Sequence, residues 1–335
     1  MMMRIRYAET LLALAKLDFN SLQKLHQKEA CDLVRWAKDH EFTGNMPFAR
    51  DRIVECYLWA LVAYYEPEFS FARRFVAKIV AVINLMDDMF DAYGTLEELE
   101  LFTQALERWD MTATDGLPEY MKFYYKALLY IFDEIEEEVA RRGHSYRLDY
   151  AKQSIKDHAK VYLKEVKWFH QRYIPPIDEY VDLASKTIGA IMIVMNTLVG
   201  MGDVVTEGEF KWLSSNTHVL QSYTAACRFS DDIAGYKFEQ ERGHVALSIH
   251  CLVKQYGCTE QEAEAILKRK IFDAWKDLNE ACLRPLAVPL TVLERLLNWL
   301  RSASVMYDGN ADNFTQVTDM MTEVVTAVLV NPFPL

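Results

Sequence analysis

The sequence predicts an all-α protein, a bundle of helices in a single domain. Its 335 residues are 51% hydrophobic and include only 12 Gly and 9 Pro, so residues that form turns are scarce. Apolar residues recur at three- and four-residue intervals, whereas no alternating stretch is long enough to build a sheet. No linker rich in Pro, Gly or Ser interrupts the chain, so we expect one domain over residues 1–335.

Short sequence signals predict where individual helices begin and end. Thr95, Thr206 and Thr259 each precede a Glu by three positions, which predicts capping boxes at three helix starts. Two arginines followed by Gly143 predict a helix end, because cations stabilise the carbonyl end and glycine tolerates a left-handed backbone. The prolines in "YIPPID" (residues 173–178) predict a break near the middle of the chain.

The composition argues against several classes of partner. The net charge is −12 and the lysines and arginines are scattered, so we expect no nucleic-acid or anionic membrane surface. Apolar stretches are too short, or too interrupted by Asn and Thr, to span a bilayer, so we expect no stable membrane insertion. The first 20 residues lack a small-residue cleavage site, so we expect no signal peptide.

Cysteine spacing predicts buried free thiols in a reducing, cytoplasmic environment. The cysteines lie far apart with no CxxC pair, which argues against a disulfide framework and against metal binding by cysteine. The six positions are Cys31, Cys56, Cys227, Cys251, Cys258 and Cys282.

The segment "NLMDDMFDAYGT" (residues 84–95) places three aspartates at the end of an apolar helix. Residues 71–86 are apolar on nearly every side, so this helix is expected in the centre of the protein. Asp87 and Asp91 then lie one turn apart on one face, and Asp88 lies about 100° away. Like charges at the negative end of a helix repel each other and the helix dipole, at about 0.3–1 kcal/mol per charge. Unless these acids are simply solvated they need a cation, and oxygen ligands without His or Cys favour Mg²⁺ or Mn²⁺.

A second acidic motif lies in "CRFSDDIAGYKFEQERGH" (residues 227–244). Asp231, Gly235 and Glu239 fall on one face of the predicted helix, and Arg228 is close to them in sequence. The glycine leaves room between two carboxylates. Two short acidic motifs that face each other, with arginines nearby, suit a Mg²⁺-bound diphosphate.

Taken together and in order, these motifs resemble the catalytic C-terminal α-domain of plant class I terpene synthases. "DDMFDAYGT" is similar to the DDxxD motif of the family, and "DDIAGYKFE" is similar to its second metal motif, (N/D)DxxSxxxE. "FARDR" resembles the arginine-x-arginine element that precedes DDxxD, and "YDGNADNFT" resembles the loop that closes over the site. The resemblance covers nearly all of the chain and implies a helical bundle around an apolar active-site cavity.

The resemblance also implies a role for each matching residue. It implies three Mg²⁺ ions, with Mn²⁺ as an alternative, and a prenyl diphosphate substrate. The implied metal positions are Asp87, Asp88, Asp91, Asp231, Gly235 and Glu239. The implied diphosphate ligands are Arg50, Arg52 and Arg228. The implied catalytic residues are Asp87, Asp91, Arg228, Trp59 and Tyr307.

The chemistry implied by the resemblance is ionisation of the substrate. Metal ions and arginines stabilise the departing diphosphate, and the prenyl chain is left as an allylic cation in a dry pocket. Trp59 and Tyr307 match family positions whose rings face this cation, and each ring contributes about 0.5–2 kcal/mol. The other aromatic residues, Phe90 included, are expected to be packing residues.

Three departures from the family pattern change these expectations. Gly235 stands where Ser or Thr usually supplies a hydroxyl ligand, so a water is expected to complete that metal's coordination. Phe314 stands where many relatives have Tyr in the closing loop. The second, N-terminal helical domain of plant relatives is absent, together with its double-arginine motif, and whether the natural protein is short stays open.

The expected function is that of a sesquiterpene synthase that uses farnesyl diphosphate, acting as a monomer or weak homodimer. Geranyl diphosphate, and thus a monoterpene synthase, is the alternative substrate. A non-catalytic helical paralogue is a further alternative, although the acids and Arg50, Arg52 and Arg228 are intact. A chain-elongating prenyltransferase is disfavoured because "DDIAGYKFE" replaces the second DDxxD motif expected there.

Overall fold

The computed structural model describes residues 2–242, 247–307 and 311–335, with the side chains of 8–237 and of the two later ranges. All regular elements in these ranges are helical, which confirms the predicted all-α class. The α-helices are α1 (Met2–Asp39), α2 (Phe42–Asn45), α3 (Ile53–Ala63), α4 (Ser70–Asp88), α5 (Leu96–Arg108), α6 (Glu119–Arg141), α7 (Tyr146–His170), α8 (Ile177–Thr187), α9 (Ala190–Leu198), α10 (Glu207–Leu213), α11 (His218–Arg242), α12 (Ser248–Tyr256), α13 (Glu260–Ala281), α14 (Leu290–Met306) and α15 (Asp319–Leu329). Short 3₁₀ helices cover Pro67–Phe69 and Gly202–Val204, and a π-helix covers Met89–Tyr93.

The local signals correctly predict several helix boundaries. Thr95, Thr206 and Thr259 cap α5, α10 and α13, and each forms the reciprocal capping box with its Glu. α6 ends at Arg141, and Gly143 behind it has a φ of 75°, the left-handed conformation that the predicted helix end requires. The prolines at 175–176 separate α7 from α8.

Helix α4 runs through the centre of the bundle, as its apolar sequence predicts. It packs against α3, α6 and α9. Val76, Ile79, Val82 and Met86 are completely buried along its length. Burying each such side chain stabilises the fold by about 1.5–3 kcal/mol, so α4 is held in place by packing from several sides. Its position fixes where its acidic C-terminal end must lie.

A buried charge network ties α1 to this central helix. Arg73 of α4 is fully buried, and its Nε donates to Glu29 Oε2 of α1 at 2.6 Å. Tyr57 and Ser70 donate to the same carboxylate at 2.8 and 2.6 Å. Because both carboxylate oxygens are hydrogen-bonded, the desolvation cost of the buried pair is offset by contacts that join three helices.

The stretch Ile177–Leu198 is long and apolar enough to cross a membrane by length and composition. In the structure this stretch is divided into α8 and α9 at Gly189, whose φ is 70°. About three fifths of the window, 61%, is buried inside the protein, so packing accounts for its apolar composition.

The six cysteines are free thiols, in agreement with the prediction from their spacing. Cys56, Cys227 and Cys251 are buried as expected. The expectation of burial is wrong for Cys31, which is exposed on α1 because it lies on the face of that helix turned away from the bundle.

Gly200, two residues after the end of α9, lies very close to α4. A Cβ atom at this position would lie 2.5 Å from the Cα atom and 2.7 Å from the Cβ atom of Ala72. Both atoms belong to the backbone region of α4, so they have no side-chain freedom to move away. The absence of a side chain at position 200 therefore sets the spacing between α9 and α4.

We predict that Gly200→Ala destabilises the protein by about 1–3 kcal/mol, because α4 and α9 must move apart to admit the methyl group. The measurement is the free energy of unfolding in urea. Gly44→Ala is the matched control, since a Cβ at this helical position contacts nothing within 4 Å. Equal stability of the two variants would contradict the proposed packing constraint.

Candidate active site

One deep cavity opens where the C-terminal end of α4 meets α7 and α11. Its apolar lining comes from α3, α4, α9 and α14, and along α4 it precedes the partly exposed Asp87 by one to two turns, so the acids mark the polar mouth of the cavity. The polar lining residues include Arg50, Asn84, Asp87, Asp88, Asp91, Tyr162, Glu165, Arg228, Asp231, Tyr307, Asp312 and Thr315. The apolar lining includes Trp59, Val80, Ile83, Ile188, Ala190, Ile193, Leu247, Trp299, Ala303 and Phe314.

The first acidic motif lies across the junction between α4 and the π-helix. Asp87 and Asp88 occupy the last turn of α4, and Asp91 lies in the π-helix. All three line the cavity, as the sequence predicted for this motif. Their exposure differs, because the Asp87 side chain is 40% exposed and the Asp88 side chain is 10% exposed. Burial raises the pKa of Asp88, although the charge of Arg50 opposes this change.

Arg50 is the cation that neutralises this helix end. Its Nη2 donates to Asp87 Oδ2 at 2.6 Å, and its Nε donates to Asp88 Oδ1 at 2.7 Å. Its backbone N–H donates to Asp88 Oδ2 at 2.8 Å, and Nη1 donates to Thr315 Oγ1 at 2.7 Å. Burial alone would lower the pKa of Arg50, but the two carboxylates outweigh this effect and raise it. Arg50 therefore stays charged and holds the acids in fixed orientations.

Tyr162 of α7 is a site residue that the sequence analysis missed. Its hydroxyl lies 2.7 Å from Asp87 Oδ1 and 2.8 Å from Asp91 Oδ1. Its ring stacks on Phe90, with the centroids 4.9 Å apart. The available signal was the apolar stripe of α7, which polar residues His158 and Glu165 interrupt. Such interruptions on a buried face indicate a site.

Glu165 of α7 is a second acid that the sequence analysis missed. It is buried on the cavity wall with 6% of its surface exposed. Burial raises its pKa, and the charge of Arg228 opposes this effect.

The second acidic motif lies on α11 and faces the same cavity. Asp231 and Gly235 line the wall, and the Glu239 side chain lies outside the described residues. Burial raises the pKa of Asp231 to about 7; Arg228 opposes this shift, while Asp312, Asp232 and Asp87 add to it. Burial and the charges of Asp231 and Asp312 raise the pKa of Tyr307, whose hydroxyl hydrogen-bonds Asp231. Negative charge is therefore crowded at this point of the cavity.

Asp232 has a structural role that differs from the position of its neighbour Asp231 on the cavity wall. Its side chain is fully buried and accepts hydrogen bonds from Arg228 Nε at 2.6 Å and from the Tyr180 hydroxyl at 2.8 Å. The backbone N–H of Ser248 donates to its Oδ2 at 3.0 Å, at the start of α12. Asp232 therefore fixes the Arg228 guanidinium at the cavity wall and joins α11 to α8 and α12.

The structure does not bring Arg52 to the cavity. Its Nε donates to the Phe314 carbonyl at 2.8 Å, and its Nη2 donates to the Thr315 carbonyl at 2.8 Å. Asp312 Oδ1 accepts from the backbone N–H groups of the same two residues, at 3.0 and 2.8 Å. Arg52 thus holds the loop that Arg50 also contacts, and its predicted role as a diphosphate ligand stays a prediction. Asp308 of this loop lies outside the described residues.

The two aromatic residues singled out by the sequence both line the cavity. Trp59 is half-buried, stacks on Trp299 at 5.9 Å and meets the edge of Phe314 at 6.1 Å. Tyr307 follows the end of α14. Phe90 packs between Tyr162 and Phe102, away from the lining, as expected of a packing residue.

Acidic side chains outnumber basic side chains at the mouth of the cavity. The described lining contains six acids and two arginines. Oxygen donors in excess over cations, without histidine or thiolate among the acids, match the ligands that Mg²⁺ prefers. Within the described residues no three metal-ligating side chains already form a cluster, because Asp87 and Asp88 are turned towards Arg50. The donor set therefore fits a divalent metal whose binding requires Arg50 to release carboxylate oxygens of this motif.

His158 lies beneath this site as a buried neutral imidazole. Its ring is 5.4 Å from that of Tyr162, and its Nδ1 lies 3.4 Å from the Lys186 carbonyl oxygen. Burial lowers the pKa of His158 to about 4, although the Lys186 carbonyl and the charge of Asp87 oppose this shift. The ring packs beside Gly189, at the break between α8 and α9.

An all-α fold with acids from two helices around an apolar cavity defines a class I terpenoid synthase fold. A comparison with protein families gives the same assignment, because the terpene synthase family, metal binding domain, matches residues 38–277. The chain belongs to the terpene synthase family. Sequence comparison places it 48% identical to a (-)-germacrene D synthase of Vitis vinifera over 98% of this chain. It is 46% identical to a (-)-alpha-pinene synthase of Fragaria vesca over 98% of this chain.

Structural comparison agrees with the family assignment. The structure of isoprene synthase from grey poplar leaves (Populus x canescens), in complex with three Mg²⁺ ions and dimethylallyl-S-thiolodiphosphate, matches with a TM-score of 0.88 at 28% identity. The match covers 97% of this chain and 62% of that chain. The two curated relatives are likewise covered over 58% and 59% of their length. The chain thus spans about three fifths of the proteins it matches.

We predict that acid destabilises the protein partly through His158. The folded pKa of about 4 lies below the ordinary 6.5. As the pH falls below 6.5 the unfolded chain binds a proton that the folded chain does not, so stability is lost until about pH 4. At pH 5 this loss amounts to about 2 kcal/mol.

The measurement is the free energy of unfolding against pH for the native chain and His158→Gln. Between neutral pH and pH 5, the free energy of unfolding of the variant should fall by about 2 kcal/mol less than that of the native chain. The same change at exposed His170 is the control for the substitution itself. Parallel curves for His158→Gln and the native chain would show that His158 is not the group responsible.

Proposed function

We propose that residues 1–335 form the catalytic domain of a Mg²⁺-dependent terpene synthase that converts farnesyl diphosphate to a sesquiterpene and releases diphosphate. One observation carries the proposal. Acids from the end of α4 and from α11 reach the mouth of one cavity whose deeper walls are apolar. Such a cavity combines a polar site for a charged leaving group with a dry site for a hydrocarbon chain.

The acids of both motifs are the proposed metal ligands. Asp87 and Asp91, supported by Asp88, would hold ions on the α4 side, and Asp231 and Glu239 would hold an ion on the α11 side beside Gly235. The relative with three bound Mg²⁺ ions supports this number here, and Mn²⁺ has the same preference for oxygen ligands. When bound, these ions would neutralise charge that develops on the leaving diphosphate.

Arginines of this chain would share that task. Arg228 lies at the cavity wall, where Asp232 fixes its guanidinium in place. Arg50 spans the two acids and Thr315, so it is placed to exchange a carboxylate contact for a diphosphate oxygen. Arg52 completes the proposed diphosphate ligands. Its present contacts with the Phe314 and Thr315 carbonyls give it a second task, which is to hold the loop against the mouth.

The apolar walls would protect the allylic cation. Bulk water would quench this cation, and the lining from α3, α4, α9 and α14 keeps the deeper cavity apolar. Trp59 and Tyr307 line the same space, and their ring faces favour positive charge. The Trp59 ring is fixed between Trp299 and Phe314, so it is preorganised for this role.

Farnesyl diphosphate is the proposed substrate because the relative at 48% identity is named for a sesquiterpene, germacrene D. The relative at 46% identity is named for a monoterpene, α-pinene, so geranyl diphosphate is the second candidate. The free thiols support a reducing, cytoplasmic location. We propose a monomer or weak homodimer as the working form, without nucleic acid or membrane partners.

Incubation with geranyl, farnesyl and geranylgeranyl diphosphates in turn, each with Mg²⁺, tests the proposal. We expect a sesquiterpene by gas chromatography and free diphosphate from farnesyl diphosphate. A monoterpene from geranyl diphosphate alone would select the second substrate. A longer prenyl diphosphate would indicate chain elongation, and the lack of any product would favour a non-catalytic paralogue.

We predict that Asp87→Asn lowers kcat/KM by at least about 100-fold while the fold is retained, because a proposed metal ligand loses its charge. The measurement is product formation at fixed Mg²⁺, with circular dichroism as the check on folding. Asp133→Asn changes an exposed acid of α6 and serves as the control. Turnover by Asp87→Asn close to that of the control would end the metal assignment for Asp87.

A further inference from the structure

We propose that Tyr162 is a positioning residue that holds Asp87 and Asp91 side by side for metal binding. This inference rests on the proposed function, in which those two acids are metal ligands. The inference rests on one hydroxyl group that lies within hydrogen-bond distance of two carboxylates, at 2.7 Å from Asp87 Oδ1 and 2.8 Å from Asp91 Oδ1. Tyr162 comes from α7, so it imposes the geometry on the motif from outside it.

The shared hydroxyl offsets a repulsion that the motif cannot offset alone. Asp87 and Asp91 lie four residues apart, and like charges at this spacing repel. A hydroxyl carries a single proton, so it donates to one carboxylate at a time, and that proton lies beside both acids. The Oδ2 atom of Asp87 is held by Arg50, which leaves Oδ1 facing Tyr162. The two contacts together define the orientation of the Asp87 carboxylate.

Packing makes Tyr162 a rigid support. Only 5% of its surface is exposed, and the His158 ring lies on α7 one turn before it. Its ring stacks nearly parallel to Phe90, with an interplanar angle of 15°. Phe90 belongs to the π-helix that carries Asp91, so the ring contact also fixes the backbone that presents this acid. π-Helical turns are often found at functional sites, where they redirect one side chain.

The chain provides a matched control in the same aromatic cluster. Phe102 makes edge contacts with both Phe90 and Tyr124. Tyr124 is completely buried, and in the described part of the chain its hydroxyl has no hydrogen-bond partner. Tyr162→Phe and Tyr124→Phe therefore each remove one hydroxyl group from a buried ring of this cluster. Only the first variant removes a contact with the acids.

The experiment is calorimetric titration of Mg²⁺ into the full chain with inorganic pyrophosphate present. The series comprises the native chain, Tyr162→Phe, Tyr124→Phe and Asp87→Asn. We expect Tyr162→Phe to weaken Mg²⁺ binding by about 10- to 100-fold, the usual effect of removing a group that orients a metal ligand. Tyr124→Phe should bind Mg²⁺ like the native chain.

Turnover against Mg²⁺ concentration gives a second reading. In Tyr162→Phe the Mg²⁺ concentration for half-maximal rate should rise by the same factor, and saturating Mg²⁺ should restore kcat. Damage to the fold alone would lower kcat without this rescue. Native Mg²⁺ affinity in Tyr162→Phe, or tighter binding, would overturn the inference if Asp87→Asn weakens binding. Equal binding by the native chain and Asp87→Asn would instead overturn the proposed function.

Discussion

The burial of α4 is the constraint on which the rest of the site depends. Helix α4 is buried along most of its length, and that length carries Asp87 and Asp88 to the cavity at the negative end of the helix dipole. An uncompensated charge there would be expensive. Arg50 supplies the compensation with two side-chain contacts and one backbone contact, and Tyr162 supplies a further hydrogen bond.

The two acidic motifs have the same pattern of exposure and arginine contact. In each Asp-Asp pair the first aspartate lines the cavity and is partly exposed, at 40% for Asp87 and 25% for Asp231. The second is buried, at 10% for Asp88 and 0% for Asp232, and binds an arginine. The arginines also contact the first aspartates, at 2.6 Å for Asp87 and 3.4 Å for Asp231, so each arginine spans its pair while the first aspartate keeps more exposed surface. A pair of adjacent acids on a helix can differ in exposure in this way because neighbouring side chains point about 100° apart.

Arg50 and Arg52 both contact the loop around Phe314, and Arg50 also contacts the acids of α4. The side chain of Arg50 donates to the Thr315 hydroxyl. The side chain of Arg52 donates to the backbone carbonyls of Phe314 and Thr315. Phe314 in turn contacts Trp59 on the cavity wall. A ligand that draws Arg50 away from Asp87 would therefore act on the loop as well, through contacts that already exist in the protein. The acids at the end of α4 and the loop around Phe314 are thus linked by a few hydrogen bonds.

The sequence by itself determined the helical class, the buried course of α4, the capping boxes and the pair of acidic motifs. These features depend on local spacing, and a periodic pattern or a hydroxyl three residues before Glu is visible in the chain. Only the tertiary structure decided that Arg52 turns to the loop, that Asp232 anchors Arg228, and that Tyr162 joins Asp87 to Asp91. The contacts of Arg52 and Tyr162 join segments distant in sequence, whereas Arg228 and Asp232 lie four residues apart on α11, where Tyr180 of α8 and the Ser248 backbone of α12 hold Asp232 from outside that helix. Spacing along one helix carries no information about which side chain of another helix lies opposite.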